Sequence, residues 1–165
     1  MADLTGTYYE GQAIHGYGAE LLVGDGTSPE VFEAVPYITK IVPGAWVTAI
    51  LEKTHLRSPN AHREKKAGLR DSGAFSVEAL YYPKHESQSE TGGGSGSFAS
   101  GGLLYWWINR TEKNWKFVLP DGSPETEIPF SGVITKYQPG EIGADGIVPL
   151  MLEITPITDF SGDLP

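Results

Sequence analysis

Along the chain, short apolar runs alternate with dense turn chemistry, the pattern of a β-rich domain. Ala19 to Val23 is a short strand, followed by Gly24-Asp25-Gly26-Thr27-Ser28-Pro29, where Gly supplies positive φ and Pro fixes φ near −65°. Extended structure resumes over Val31 to Ala34, and Pro36 separates it from a strand over Tyr37 to Val42. Pro43-Gly44 turns the chain into Ala45 to Leu51, another apolar strand. The clearest alternation is at Phe75, Val77, Ala79 and Tyr81, with Ser76, Glu78, Leu80 and Tyr82 on the opposite face. After the helix described next come Asn114 to Leu119, Glu127 to Tyr137 and Ile147 to Thr155, two or three strands in meander order joined by Pro/Asp/Gly turns. Pro129 and Pro149 interrupt them, so their positions belong at strand edges, ends or bulges.

One segment has helical rather than strand spacing. Leu104, Trp107 and Ile108 fall at i, i+3 and i+4, which predicts a helix over Phe98 to Arg110 packing that face on the core. Ser97 and Ser100 are the candidate N-caps. Two stretches carry no period. Lys84 to Gly96 is polar and glycine-rich and is expected to be a flexible surface loop. Glu52 to Ser72 is charged, without apolar alternation, and reads as a long loop of the kind that is usually functional or disordered. The expected organisation is an arm over residues 1–18, one β-domain over 19–158 and a loosely held tail from Pro156, with residues 159–165 outside the domain.

Composition adds constraints. The 165 residues suffice for one domain with a core, and 21 Gly with 12 Pro favour chain reversals over long helices. The absence of cysteine removes a disulfide framework, a thiolate metal site and a Cys nucleophile together. Met1-Ala2-Asp3-Leu4 lacks the basic and apolar regions of a secretory leader, and no apolar run reaches membrane-spanning length. The expectation is a soluble protein that is not exported by that route. Net charge is −9, contrary to the basic footprint of a protein that grips phosphates. The charge is uneven: Lys53, Arg57, Arg63, Lys65, Lys66 and Arg70 outnumber three acidic residues in the Glu52–Asp71 stretch, a local +3 that leaves −12 on the remainder.

No motif carries catalysis. His15, His55, His62 and His85 lie in arm or loop segments without metal-ligand spacing. Gly92-Gly93-Gly94-Ser95-Gly96 lacks the lysine that a phosphate-binding loop requires. The carboxylate pairs Glu125/Glu127 and Glu86/Glu90 sit in polar turns, where solvated acid is the default. Asn109-Arg110-Thr111 matches a glycosylation acceptor and, with no secretory leader expected, reads as a chance match. No catalytic, cofactor-binding or metal-binding residue is assigned. Tyr105, Trp106, Trp107 and Trp115 read as core, with one of the adjacent tryptophans only partly buried. The long charged segment keeps two readings: a solvated loop, or a contact between identical subunits oriented by complementary charge.

The order of these elements resembles the major tail tube proteins of long, non-contractile-tailed bacteriophages, including the lambda-like group. The resemblance runs through Gly24-Asp25-Gly26-Thr27-Ser28-Pro29-Glu30-Val31-Phe32-Glu33-Ala34-Val35 with Ile38-Thr39-Lys40-Ile41, and through Asp71-Ser72-Gly73-Ala74-Phe75-Ser76-Val77-Glu78. It continues with Leu103-Leu104-Tyr105-Trp106-Trp107, Trp115-Lys116-Phe117-Val118-Leu119-Pro120-Asp121-Gly122, Phe130 to Lys136 and Val148 to Thr155, covering roughly residues 19–158. It implies a mainly β fold, a twisted β-sandwich or partial barrel with one flanking helix. It further implies a structural virion protein, not an enzyme and without cofactor, built as stacked homohexameric rings and assembled in the host cytoplasm. The implied partners are other copies of the chain, a tape measure protein and tail terminator and tip proteins. DNA would pass through the lumen without specific binding, and no membrane is involved. The residues implied to reach a neighbouring subunit or ring are Lys53, Arg57, Arg63, Lys65, Lys66 and Arg70 of the charged segment. The reading of a different class is a β-sandwich carbohydrate- or receptor-binding module with Tyr and Trp platforms. A hydrolase using His55 or His62 would need a carboxylate within about 3.2 Å.

Overall fold

Where the sequence alternates, the structure builds a sheet. The computed structural model describes residues 16–157, so the first fifteen residues of the expected arm, His15 among them, and the tail from 158 onward lie outside the described residues. The elements are β1 (Glu20–Gly24), β2 (Phe32–Ala34), β3 (Ile38–Val42), β4 (Val47–Glu52), β5 (Lys65–Asp71), β6 (Phe75–Leu80), α1 (Leu103–Ile108), β7 (Lys113–Leu119), β8 (Thr126–Pro139) and β9 (Pro149–Pro156). Seven strands form one antiparallel sheet in the order β2-β1-β7-β8-β9-β6-β3, and β4 with β5 forms a separate two-stranded ribbon. This is the mainly β architecture with one flanking helix that the sequence implied. No helix among the described residues is long and apolar enough to cross a membrane.

Register puts one face of each strand inside. Phe75, Val77 and Ala79 of β6 stand opposite Ile154, Leu152 and Leu150 of β9, and all six are buried. The sheet curls, so that Phe75 stacks on Phe130 of β8 at 4.5 Å across the intervening strand. A bulge in β8 between Ile134 and Lys136 shifts its alternation by one. Tyr137 therefore turns inward, against the core. Half-burial pushes its phenol up to about 12, with the neighbouring Tyr81 adding to the shift. Pro149 opens β9, and Pro129 lies in the part of β8 that β9 does not reach, since that pairing begins at Gly132. Neither proline interrupts a ladder on both sides. At the other end Ile157 N–H donates to Ser131 O at 2.8 Å, so the start of the expected loose tail is held against β8.

The Gly24–Pro29 turn is fixed by its own polar side chains. The Asp25 carboxylate accepts from the Thr27 and Val31 amides and the Thr27 hydroxyl, and those Thr27 bonds hold it below the usual carboxylate range. Glu30 accepts from the Gly26 amide and from Asn114 on β7.

The helix departs from expectation. It spans six residues, starts from Gly102 without a side-chain cap, and buries Leu103 and Trp106; Leu104 is half-buried, while Trp107 and Ile108 are exposed. The expected face of Leu104, Trp107 and Ile108 is thus rotated by about one residue. The cause is tertiary. Leu103 N–H donates to Ser87 O at 2.8 Å and Gly102 N–H to Ser89 O at 3.0 Å, so the preceding loop fixes both where the helix begins and its rotation. Any Cβ at Gly102 would lie 2.5 Å from the Glu86 and Ser87 carbonyls. Ser97, an expected cap, instead donates its hydroxyl to Val23 O at 2.9 Å and is buried. Trp106 stacks on Phe98 at 5.4 Å and meets Trp115 edge-on at 6.0 Å, with Lys113 Nζ over its ring at 4.9 Å. Burial pushes the Lys113 ammonium down, with Asp25 and Glu30 opposing the shift.

The loop over 84–96, expected to be flexible, is pinned at its centre. Ser87 and Gln88 are buried, and Gln88 accepts from Tyr82 N–H at 2.8 Å through Oε1 and donates to Leu80 O at 2.7 Å through Nε2. The primary amide of Gln88 so takes the place of a neighbouring strand at the end of β6.

Candidate assembly interface

The charged segment, read from sequence as a loop, is half strand. β5 pairs antiparallel with β4 from Val47↔Asp71 to Glu52↔Lys65, with one extra β5 residue between the pairs Thr48↔Arg70 and Ile50↔Ala67. Alternation failed to reveal this strand because neither face of the ribbon packs on the core: every residue of β4 is exposed, and all of β5 except half-buried Gly68. At its base the chain passes itself closely. A Cβ at Gly44 would lie 2.6 Å from Gly73 C and Ser72 O, and Gly73 has φ +63°. Only glycine fits this crossing, which launches the ribbon away from the sheet.

Beyond the paired strands the tip is ordered by local bonds. Lys53 N–H donates to Glu64 O at 3.0 Å, and the Glu64 amide donates to Thr54 Oγ1 at 3.0 Å. His55 N–H donates to Ser58 Oγ at 3.0 Å and Arg57 N–H to His55 Nδ1 at 3.1 Å. Asn60, with φ 54°, turns the chain back. The half-buried Glu64 carboxylate stands 3.8 Å from Lys53 Nζ and 3.9 Å from His55 Nε2. Ion pairs this exposed contribute about 0–1 kcal/mol each. The His55–Glu64 separation also exceeds the reach required for a general base and its partner.

Lys53, Arg57, Arg63, Lys65, Lys66 and Arg70 all lie on this ribbon and its tip, and all are exposed. The structure thereby gathers the basic residues picked out from sequence into one projection from an otherwise acidic chain. Sequence reading marked Ala45 to Leu51 as an apolar strand but gave no sign that its side chains stay exposed. Val47 and Leu51 alternate onto one face of β4 and Ile50 onto the other, with Leu69 on β5, and all four are exposed. An isolated two-stranded ribbon is marginal in water, and exposed apolar residues on both faces make it a candidate interaction surface.

Two further features border unpaired backbone. Strands β2 and β3 end the seven-stranded sheet, each hydrogen-bonded to one neighbouring strand among the described residues. Because the sheet curls, β3 returns toward β7 and β8 and leaves a groove of about 790 Å³ between them. Ile38, Ile41, Trp46, Phe75, Phe117 and Leu119 line it. Of the aromatic cluster, Trp106 and Trp115 are core residues packed edge to face, while Trp107 is exposed.

No protein-family model matches the chain, and no curated protein matches it. Solved structures do. A chain in the tail of an empty gene transfer agent particle of C6 symmetry aligns with TM-score 0.59 at 14% identity, over 86% of this chain and 96% of that one. A chain of the SPP1 tail tube gives TM-score 0.59 at 12% identity, over 90% and 78%. A chain of an extracellular contractile injection system, from a structure of the PVC sheath/tube terminator in its extended state, gives 0.60 at 16%, over 89% and 94%. The chain shares the fold of these tail and tube components.

Proposed function

We propose that the chain is a structural, non-enzymatic subunit of a phage-type tail tube, in which six copies close a ring and rings stack along a DNA channel. The observation that carries this reading is the projecting ribbon β4–β5, whose Val47, Ile50, Leu51 and Leu69 are exposed among the described residues. A second copy supplies the missing cover. Lys53, Arg57, Arg63, Lys65, Lys66 and Arg70 on the same projection meet the net acidic surface of the adjacent subunit or ring, which sets the direction of docking. Ring closure also pairs the free edges of β2 and β3, which are an aggregation hazard in an isolated sheet. Likeness of fold to tail and tube chains supports the reading.

The net charge of −9 agrees with a channel that passes DNA without retaining it. By the same reading the protein resides in the virion tail of a siphophage-like particle after assembly in the host cytoplasm. Its partners are further copies, a tape measure protein and the terminator and tip of the tail.

Negative-stain microscopy of the purified chain tests the proposal directly. Rings or tubes whose abundance rises with concentration are expected, and a strictly monomeric chain at high concentration refutes it. Reversing Lys65 and Lys66 to Glu is expected to weaken assembly most at low salt, where screening is least. A salt-independent effect would transfer the role of the ribbon from charge to packing.

A further inference from the structure

The end of the sheet opposite the ribbon carries an exposed surface of its own. The ribbon leaves the sheet where β3 ends and β6 begins, beside the pairs Val42↔Ser76 and Phe75↔Ile154. At the other end of the same strands, the pairs Leu80↔Pro149 and Pro139↔Leu150 open into the β8–β9 loop over residues 140–148. The six residues of β6 separate the two ends by about 17 Å. Gly140 N–H donates to Pro149 O at 2.7 Å and closes the loop at its base, beyond which Glu141, Ile142, Asp145 and Ile147 are exposed. No Lys or Arg lies in the loop. Tyr81 N–H donates to Val148 O at 3.0 Å and Leu80 N–H to Tyr37 O at 2.9 Å, which ties the loop to an aromatic pair. That pair, Tyr37 and Tyr82, is exposed, with ring centroids 4.6 Å apart. The chain after Tyr82 adds Glu86 and Glu90 against Lys84. One end of the subunit is thus apolar and acidic, while the ribbon at the other is apolar and carries the local +3.

On the premise of the tube reading, we infer that the ribbon of one copy docks on this end of the next. Ile142, Ile147, Tyr37 and Tyr82 then cover apolar side chains of the ribbon, and Glu141 and Asp145 face Lys65 and Lys66. Each surface supplies what the other lacks, apolar area to be covered and charge of opposite sign. Because the two surfaces lie at opposite ends of β6, the contact is head-to-tail: a copy that receives a ribbon at one end offers its own at the other. The pairing therefore propagates along an axis instead of closing a dimer. Charge fixes its direction, since two ribbons repel each other and so do two acidic ends.

Charge exchange in the full-length chain tests this. Glu141→Lys with Asp145→Lys, and separately Lys65→Glu with Lys66→Glu, are each expected to raise the assembly threshold about tenfold at low salt. Combining both pairs in one chain is expected to bring the threshold back to within about threefold of the parent, because the two sites are coupled. Glu112→Lys with Glu125→Lys makes the same change in net charge on exposed residues outside the loop, and is expected not to rescue the Lys65/Lys66 variant. Circular dichroism confirms that each variant is folded. A second measurement is independent of charge. The parent has no cysteine, so chains carrying Leu69→Cys are mixed with chains carrying Ile142→Cys and oxidised, and peptide mapping is expected to find position 69 of one chain linked to position 142 of another. Tubes from the parent, with neither rescue nor that link, leave the tube reading standing and overturn the docking. Equal rescue by the Glu112/Glu125 pair overturns it by reducing the effect to net charge. A parent chain that never assembles removes the tube reading and the docking with it.

Discussion

Replacing Val47, Ile50, Leu51 and Leu69 together by Thr removes the apolar character of the ribbon while placing a β-branched side chain suited to a strand at each position. Their exposures are 55%, 61%, 56% and 87%, so the larger part of each side chain still faces water in the subunit. Full burial of such a side chain is worth about 1.5–3 kcal/mol, and covering the exposed remainder contributes about 1 kcal/mol or more apiece. Threonine keeps one methyl and recovers a fraction of this, so the expected loss is about 3–4 kcal/mol per ribbon contact. That corresponds to a rise in the assembly threshold of roughly two to three orders of magnitude. Light scattering against protein concentration, with microscopy of the product, measures the threshold. Urea unfolding of the dilute subunit measures its stability, which is expected to change by less than about 1 kcal/mol because these side chains touch little of their own chain. An unchanged threshold would remove the ribbon from the interface. A loss of subunit stability as large as the loss of assembly would show that its apolar residues serve the fold instead.

Trp106→Ala is expected to destabilise the subunit by about 3–5 kcal/mol in urea unfolding, and Trp107→Ala by less than about 1, since only the first is packed among Phe98, Trp115 and Lys113; equal effects would contradict the helix rotation. Gln88→Leu strands the Tyr82 amide and the Leu80 carbonyl, at a cost of about 2–4 kcal/mol, and hydrogen exchange at the Tyr82 amide is expected to accelerate. Tyr137 is held protonated in the folded chain up to about pH 12, against about 10 when unfolded, so its contribution is complete below 10 and is lost as pH rises toward 12. Urea midpoints measured across that window are expected to fall, and to fall less steeply in Tyr137→Phe.

The local pattern alone determined much of this protein. Alternation at Phe75, Val77 and Ala79 located β6 and its buried face, because a strand with one face on the core must repeat every second residue. Turn chemistry at residues 24–29 and 120–124 separated the strands, and the uneven charge marked the Lys53–Arg70 stretch as distinct. The same periodicity argument was silent on β5, which leaves both faces in solvent and so carries no alternation for burial to impose. It also misplaced the helical face. Over six residues, spacing alone allows Leu104, Trp107 and Ile108 as readily as Leu103 and Trp106, and bonds from Ser87 and Ser89, distant from any helical repeat, selected the latter pair. Which apolar side chains are left exposed among the described residues, on the ribbon and in the groove beside β3, follows from the curl of the sheet and the crossing at Gly44 and Gly73. Those contacts join residues far apart in the chain, and the composition of neither partner encodes them separately.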